Sequence, residues 1–163
     1  MMVEATFLKT PIGIAKITGD ANGIQSVSIL DEESISNDLL HTETPNCLQD
    51  CKTQLKEYFE GSRTEFELTV NPKGTAFQLK VWKSLLQIPF GKTTSYLEQS
   101  SHLGDKKAIR AVAAANGKNP ILIVIPCHRV LGSDGSLTGF SAGIWRKKWL
   151  LAHENPVKQK TFF

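Results

Sequence analysis

Residues 95–117, SYLEQSSHLGDKKAIRAVAAANG, carry two helix starts with a turn between them. Ser95-x-x-Glu98 is a capping box, in which hydroxyl and carboxylate each satisfy orphan amide hydrogens of a first turn. It predicts a short helix ending near Gly104. Asp105 then caps a second helix from about Lys106 to Ala115, closed by Asn116-Gly117. Two helices joined by a glycine-containing turn of about three residues fit a helix-turn-helix, here at about 95–116. The second helix breaks a local rule. Lys106 and Lys107 sit in its first turn, where the helix dipole disfavours cations by a few tenths of a kcal/mol. A phosphate there would reverse the sign. The rest, Ala108 to Ala115, is nearly all small side chains and can approach another surface closely; Arg110 is its one long side chain. Against DNA, Lys106, Lys107, Ala111 and Ala114 would line the contact and Arg110 would reach in. An alanine-rich face has few donors for reading major-groove base edges and suits the minor groove better. The alternative is a packed, alanine-rich core helix.

Upstream, Thr75-x-x-Gln78 is another capping box. Phe77, Val81 and Leu85 form an i, i+4 stripe behind it, widened by Trp82 and Leu86, until Pro89-Phe90-Gly91 stops the helix. Charge then separates this half from the one before it. Residues 1–72 hold 5 Lys/Arg against 12 Asp/Glu, a net of −7, and residues 73–163 hold 14 against 4, a net of +10. The overall +3 conceals that split. Charge bears on partners rather than on fold, so the basic half is the candidate for a polyanion. Two domains are expected, 1–72 and 73–163, with Asn71-Pro72-Lys73-Gly74 as linker.

The acidic half reads as a small α/β unit. Ala5–Leu8, Ile12–Thr18 and Ile24–Leu30 are short, β-branched segments punctuated by Gly13, Gly19 and Asn22-Gly23, the last a hairpin signal. Thr44-Pro45 opens a helix with Leu48, Cys51, Leu55 and Phe59 on one stripe, and Gly61 ends it. Phe66, Leu68 and Val70 alternate like a last strand. Cys47, Cys51 and His41 lack a fourth partner for a metal, so no metal is expected. The longest apolar run, Ile121–Ile125, is far short of the roughly 20 residues a membrane span needs. No signal-peptide pattern opens the chain. Three cysteines in 163 residues make no disulfide framework. A reducing cytoplasm is the expected location, at the nucleoid in a prokaryote.

That apolar run reads as a buried strand delivering the chain to Pro126-Cys127-His128-Arg129-Val130. A cysteine acts as a nucleophile when thiolate, and an ordinary thiol with pKa about 8.5 is mostly protonated at neutral pH. A base oriented by a carboxylate can take the proton. His128 is the candidate base. Of the acidic residues in this half, Glu98 and Asp105 are caps and Asp134 lies in the Gly132–Gly135 turn, which leaves Glu154. Adjacent side chains on a regular strand point to opposite faces, so Cys127–His128 contact through a water is expected. A structural cysteine beside a surface histidine is the other reading.

Pro126–Val130, followed by Gly139-Phe140-Ser141 and by Trp149-Leu150-Leu151-Ala152-His153-Glu154, closely resembles the O6-alkylguanine-DNA alkyltransferases, also called methylated-DNA–protein-cysteine methyltransferases. The resemblance runs in register from about Thr75 to Glu154. The acidic half matches only in length and strand–helix order. It implies a ribonuclease H-like α/β N-terminal domain and a mainly α, winged-helix-like C-terminal domain carrying the helix-turn-helix. It implies a single-turnover transferase that rotates O6-alkylguanine out of duplex DNA and moves the alkyl group to Cys127, with O4-alkylthymine as a further expected substrate. His128 would act through a bridging water, Glu154 would orient it, and Asn119 would steady the turn. Tyr96 would crowd the target phosphate and offer its hydroxyl to guanine N3, and Arg110 would fill the gap in the base stack. Val130 and Ser141 would meet the base edge and Ser133 the phosphates. Phe140 stands where many members carry tyrosine, keeping the stacking wall without the hydroxyl. Ala142 stands where many carry glycine. No cofactor is implied. The expected partner is double-stranded DNA carrying O6-alkylguanine, met by a monomer, with cooperative binding left open. The rival readings are a non-catalytic reader of alkylated bases, a plain helix-turn-helix binding module, and a cysteine hydrolase.

Overall fold

The computed structural model describes residues 2–155. Glu4–Thr10 (β1), Gly13–Asp20 (β2) and Gly23–Leu30 (β3) form an antiparallel meander in the order β1-β2-β3. Their β-branched inner residues, Ile14, Ile17 and Val27 among them, are buried. The β2–β3 hairpin falls where Asn22-Gly23 placed it, but its chemistry differs. Its two loop residues are Ala21 and Asn22. The turn is closed by the Asn22 amide donating 2.8 Å to Asp20 Oδ1, and Gly23 alone takes positive φ, at 136°. That glycine is required: a Cβ there would stand 2.8 Å from the Thr69 carbonyl oxygen.

Asn37–Leu40 (α1) and Gln49–Glu60 (α2) complete the local elements of this unit, and both pack on β1. Pro45 leads a 3-10 turn into α2, and Gly61 ends it in the left-handed conformation at φ 88°. The buried stripe is Leu48, Cys51, Leu55 and Tyr58, so Tyr58 takes the inward place that sequence spacing assigned to Phe59. Residues 66–70 are not a strand. Only Val70 pairs, in a parallel bridge to Ile24, with Ile24 N donating to Thr69 O at 2.9 Å and Asn71 N to Ile24 O at 2.7 Å.

The chain divides into two units, and the division is not at one point. The first unit runs to Lys73 and also contains Pro120–Val124; the second holds Gly74–Asn119 and the chain from Ile125 onward. Residues 120–124 join the first unit through β3: Val27 N donates to Pro120 O at 2.9 Å and Leu122 N to Val27 O at 3.0 Å. Local periodicity could not supply that, because the pairing spans more than ninety residues of sequence.

In the second unit Ala76–Leu85 (α3) starts on the expected capping box, with both reciprocal bonds present at 3.0 and 3.1 Å. Val81, Trp82 and Leu85 are buried, whereas Phe77 and Leu86 are 42% and 46% exposed, so the stripe is narrower than expected. Thr94–Ser95 (β4) leads into Tyr96–His102 (α4); a 3-10 turn at Lys106–Ala108 leads into Ile109–Gly117 (α5). This is the helix-turn-helix. Two details differ from the sequence reading. Ser95 Oγ accepts from Glu98 N at 3.0 Å, but the Glu98 carboxylate takes the Thr94 hydroxyl at 2.8 Å, leaving half a capping box. Lys106 and Lys107 lie in the tight turn before α5, where Asp105 accepts from Lys107 N at 2.9 Å. Val130–Leu131 (β5) pairs parallel with β4, and Ile144–Glu154 (α6) follows. Among the described residues no helix is long and apolar enough to cross a membrane.

The two helices of the motif are locked by a reciprocal amide pair. Gln99 Nε2 donates to Asn116 Oδ1 at 3.0 Å and Asn116 Nδ2 to Gln99 Oε1 at 2.7 Å, both residues buried. Replacing one partner orphans a buried amide, at a cost of about 1–3 kcal/mol, whereas replacing both with apolar residues is nearly neutral. Asn116→Leu is therefore expected to lower unfolding stability by that amount, and the Gln99→Leu/Asn116→Leu double variant to recover most of it. Urea denaturation of the three variants checks this.

Candidate active site

The active turn is built on two backbone reversals. Val124 N donates to Leu122 O at 2.8 Å around Ile123, whose φ of 74° makes it the one non-glycine residue with positive φ among the described residues. This φ-positive γ-turn is a strained form. Next, Cys127 N donates to Ile125 O at 2.9 Å around Pro126, at φ −84° and ψ 64°. That is the inverse γ-turn, a low-energy form whose φ the proline ring already favours. The expected buried strand is therefore absent: 121–125 is buried but reverses direction, and only Ile121 pairs with β3. Asn119 Nδ2 donates to Ile125 O at 2.7 Å, so the two ends of the excursion through 120–124 are pinned to each other.

Cys127–Arg129 then form a 3-10 turn. Alternation across a strand does not apply to it, and Cys127, His128 and Arg129 are all buried. His128 Nε2 lies 2.7 Å from Glu154 Oε2 near the end of α6. Arg129 takes the same carboxylate, Nε to Oε1 at 2.8 Å and Nη2 to Oε2 at 3.1 Å, and gives Nη1 to Ile88 O at 2.7 Å. The Gly91 amide adds a long fourth contact at 3.5 Å. Burial opposes charge on Glu154, but the electrostatic pull and the hydrogen bonds of His128 and Arg129 outweigh it and hold the carboxyl well below the usual carboxylate range. His128 Nδ1 is buried with no hydrogen-bond partner. A carboxylate on Nε2 fixes the proton there, which makes Nδ1 the acceptor.

Burial pushes the Cys127 thiol up, while the hydrogen bond from Asn119 and the positive charge of Lys147 act against that rise. The other two thiols have no such opposition from a cation. Burial alone takes Cys51 to about 12, and Cys47 is raised by burial and by its bond to Glu4. All three cysteines are free.

Beside this turn the 139–143 loop is held from two sides. Tyr96 OH donates to Thr138 O at 3.0 Å. Lys147, fully buried on α6, donates Nζ to Val130 O at 2.7 Å, Thr138 O at 2.9 Å and Gly139 O at 3.4 Å. Burial, opposed by the Thr138 bond, raises the Tyr96 phenol and keeps it a donor, and a thiolate at Cys127 would add to the rise. Phe140 is half-buried, Ser141 exposed and Val130 fully buried.

On the helix-turn-helix, Lys106, Lys107, Arg110, Ala111 and Ala114 are all exposed, while Val112, Ala115 and Asn116 face the core. The small-residue face is open, and the packed-core alternative holds only for the opposite side of α5. Ser133 lies exposed in the Gly132–Gly135 turn. Among the described residues, no group of three or more His, Cys, Asp or Glu is arranged to hold a metal.

The structure thus gathers Cys127, His128, Glu154 and Asn119 about one turn, and ties Tyr96 to the loop bearing Phe140 and Ser141. Sequence reasoning missed Arg129 and Lys147. Both left a signal. Arg129 is a cation inside a run buried on both sides, and Lys147 falls on the inward register of α6 with Leu150, Leu151 and Glu154.

Two family models match this chain: the 6-O-methylguanine DNA methyltransferase ribonuclease-like domain over residues 3–72, and the DNA binding domain of the same family over residues 76–156. A Mycobacterium bovis methylated-DNA–protein-cysteine methyltransferase is 40% identical over 153 residues, covering 94% of this chain and 93% of its own. The constitutive methylated-DNA–protein-cysteine methyltransferase of Bacillus subtilis is 40% identical over 161 residues, covering 95% and 96%. The crystal structure of Mycobacterium tuberculosis O6-methylguanine methyltransferase superposes with TM-score 0.83 at 41% identity, covering 95% of this chain and 94% of that one. A structure of the M. tuberculosis protein in complex with DNA gives 0.82 at 40% identity, covering 93% and 92%. With its Cys-His-Glu turn, its helix-turn-helix and these relatives along nearly its whole length, the chain belongs to the 6-O-methylguanine DNA methyltransferase family.

Proposed function

We propose that this chain repairs O6-alkylguanine in double-stranded DNA by transferring the alkyl group, once and irreversibly, to its own Cys127. One observation carries the reading: a buried thiol shares its turn with an imidazole whose Nε2 is held by Glu154 and whose Nδ1 has no protein partner. Burial keeps the resting sulfur protonated. The proton passes through a water to His128 Nδ1, and Glu154 stabilises the imidazolium. The thiolate attacks the alkyl carbon in line, forming a C–S bond as the C–O6 bond breaks. As the C–O6 bond breaks, the Tyr96 hydroxyl exchanges Thr138 O for guanine N3 and gives it its proton, so guanine leaves neutral and the tyrosinate regains a proton from solvent. General acid–base help of this kind is worth roughly 10²–10⁴-fold. The thioether product has no thiol-exchange route back.

The alkylated oxygen is buried in a duplex until the nucleotide rotates out, which costs a few kcal/mol. The exposed face of α5 enters the minor groove, and Arg110 occupies the vacated space. Lys106, Lys107 and Ser133 meet phosphates, and the Val130 and Ser141 backbones with the Phe140 ring receive the base. The protein acts as a monomer, one molecule per lesion, in a reducing cytoplasm that keeps Cys127 a free thiol. O4-alkylthymine, with the same oxygen-bound alkyl carbon, is a further substrate.

Peptide mass spectrometry after mixing with an O6-methylguanine duplex is expected to find one methyl group, on Cys127. Cys127→Ala is expected to lose transfer and keep DNA affinity; a methyl on another residue, or a lesion removed without one, overturns the proposal. Arg110→Ala is expected to slow repair of duplex far more than reaction with free O6-benzylguanine, measured as the ratio of the two rates.

Glu154 gives a pH signature. A depressed carboxyl contributes stability that is present above its unfolded value of about 4.3 and lost as pH falls through the lower folded value. Glu154→Gln is expected to lower neutral-pH stability by about 3–5 kcal/mol, the range for breaking a buried ion pair. It is also expected to flatten the fall in stability below about pH 4 and to slow transfer. Urea denaturation at neutral and acid pH, with single-turnover rates, checks these outcomes.

A further inference from the structure

We propose that the cavity between the end of α3 and α4 is a binding site for a small organic acid with an apolar body, of the aromatic carboxylate class. The site shares no residue with the transfer machinery, and the proposal does not depend on transfer to Cys127.

The cavity holds about 440 Å³, within the roughly 300–1,000 Å³ of small-molecule sites. Ile88 and Pro89 beyond α3, Lys92 and Thr93 before β4, and Gln99 and His102 on α4 line it. Gln99 is buried, and its Nε2 hydrogens are taken, by Asn116 Oδ1 at 3.0 Å and Ser84 Oγ at 3.4 Å. Lys92, Thr93 and His102 differ from it. Among the described residues their side chains make no hydrogen bond and no ion pair. Each can donate, and an ammonium can do nothing else. No carboxylate lines the cavity, and Glu98, the acid next along α4, is occupied with the Thr94 hydroxyl at 2.8 Å. Three donors without acceptors, one of them a cation without a counter-ion, fit an anion. Ile88 and Pro89 fit an apolar body attached to it, which leaves water as the anion meets the cation.

The apolar wall is built before any ligand arrives. Lys92 N donates to Pro89 O at 3.1 Å, which closes a turn with Gly91 at φ 78°. Gly91 O accepts from Asn155 Nδ2 at 3.2 Å, and Ile88 O accepts from Arg129 Nη1 at 2.7 Å. Ile88, Pro89 and Lys92 therefore line the cavity while the backbone around them is tied to the end of α6 and to the partner of Glu154. On the other side, Gln99 is held by its amide pair with Asn116. A site fixed on both sides loses little conformational freedom when it is filled, and that favours binding of a small molecule.

The test titrates the full chain with 2-naphthoate and follows backbone amides by NMR, with 2-naphthalenemethanol as the neutral control. Naphthoate is expected to shift the amides of Ile88, Thr93, Gln99 and His102 saturably. Its dissociation constant is expected at about 1 mM or tighter, the scale for a molecule of that size. The alcohol is expected to bind about tenfold more weakly, the loss of one charge-assisted hydrogen bond. Lys92→Gln, at an exposed position, is expected to remove most of that preference, and Lys92→Gln/His102→Gln the remainder, with binding of the alcohol unchanged. Absence of a saturable shift overturns the proposal, and so does an acid preference that survives the double variant. Shifts confined to Lys106, Lys107 and Arg110 overturn it as well, since they would make the anion an adventitious partner of the exposed cations on the helix-turn-helix. A final arm adds undamaged duplex DNA. Should the duplex displace naphthoate, and Lys92→Gln reduce the salt slope of duplex binding by about one, Lys92 serves DNA phosphates and the proposal fails.

Discussion

One carboxylate organises the second unit. Glu154, buried at the end of α6, holds the imidazole of His128 and the guanidinium of Arg129 at the same time. An anion taken out of water is costly unless its lone pairs are satisfied, and here a fork of Arg donors and an imidazole satisfy them. Because His128 and Arg129 are consecutive, the carboxylate fixes the turn that also presents Cys127. Arg129 Nη1 then reaches Ile88 O beyond the end of α3, so the same ion pair anchors an element with no chemical role.

Against that fixed centre, the approach to Cys127 is bent and strained. Ile123 holds a positive φ that a β-branched residue resists, in a segment that is buried throughout. The segment persists because its ends are over-determined. Pro120 and Leu122 are hydrogen-bonded to Val27 on one side of the reversal, and Asn119 ties down Ile125 on the other. Asn119 thus holds the backbone two residues before Cys127, which suits a nucleophile that must meet one carbon in line.

Much of this was readable in residue types. Caps announce themselves, since Thr75, Ser95 and Asp105 act on amides two or three positions away. Glu154 emerged by elimination because the basic half has so few acids to choose from. Where the reading slipped, the competing factor was distant in sequence. The 121–125 run looked like a strand because apolar composition records burial but not direction. Phe59 and Tyr58 differ by one position on a helix, and only the packing of α2 says which of them turns inward. Glu98 could cap Ser95 or bond Thr94, and both fit local spacing.

The sequence by itself determined the chemistry: a Pro-Cys-His turn, a leftover carboxylate and a basic helix-turn-helix with a small-residue face follow from side-chain identity and from spacings within a few residues. Tertiary structure decided what surrounds that chemistry. Arg129 and Lys147 could be assigned to bonds only once α6 lay beside the active turn, and residues 120–124 to the first unit only once Val27 was their partner. The physical reason is range. Capping, turn formation and acid–base type act over a few bonds or one helical turn, whereas the carboxylate that holds His128 lies 26 residues further along the chain and only the fold brings it near.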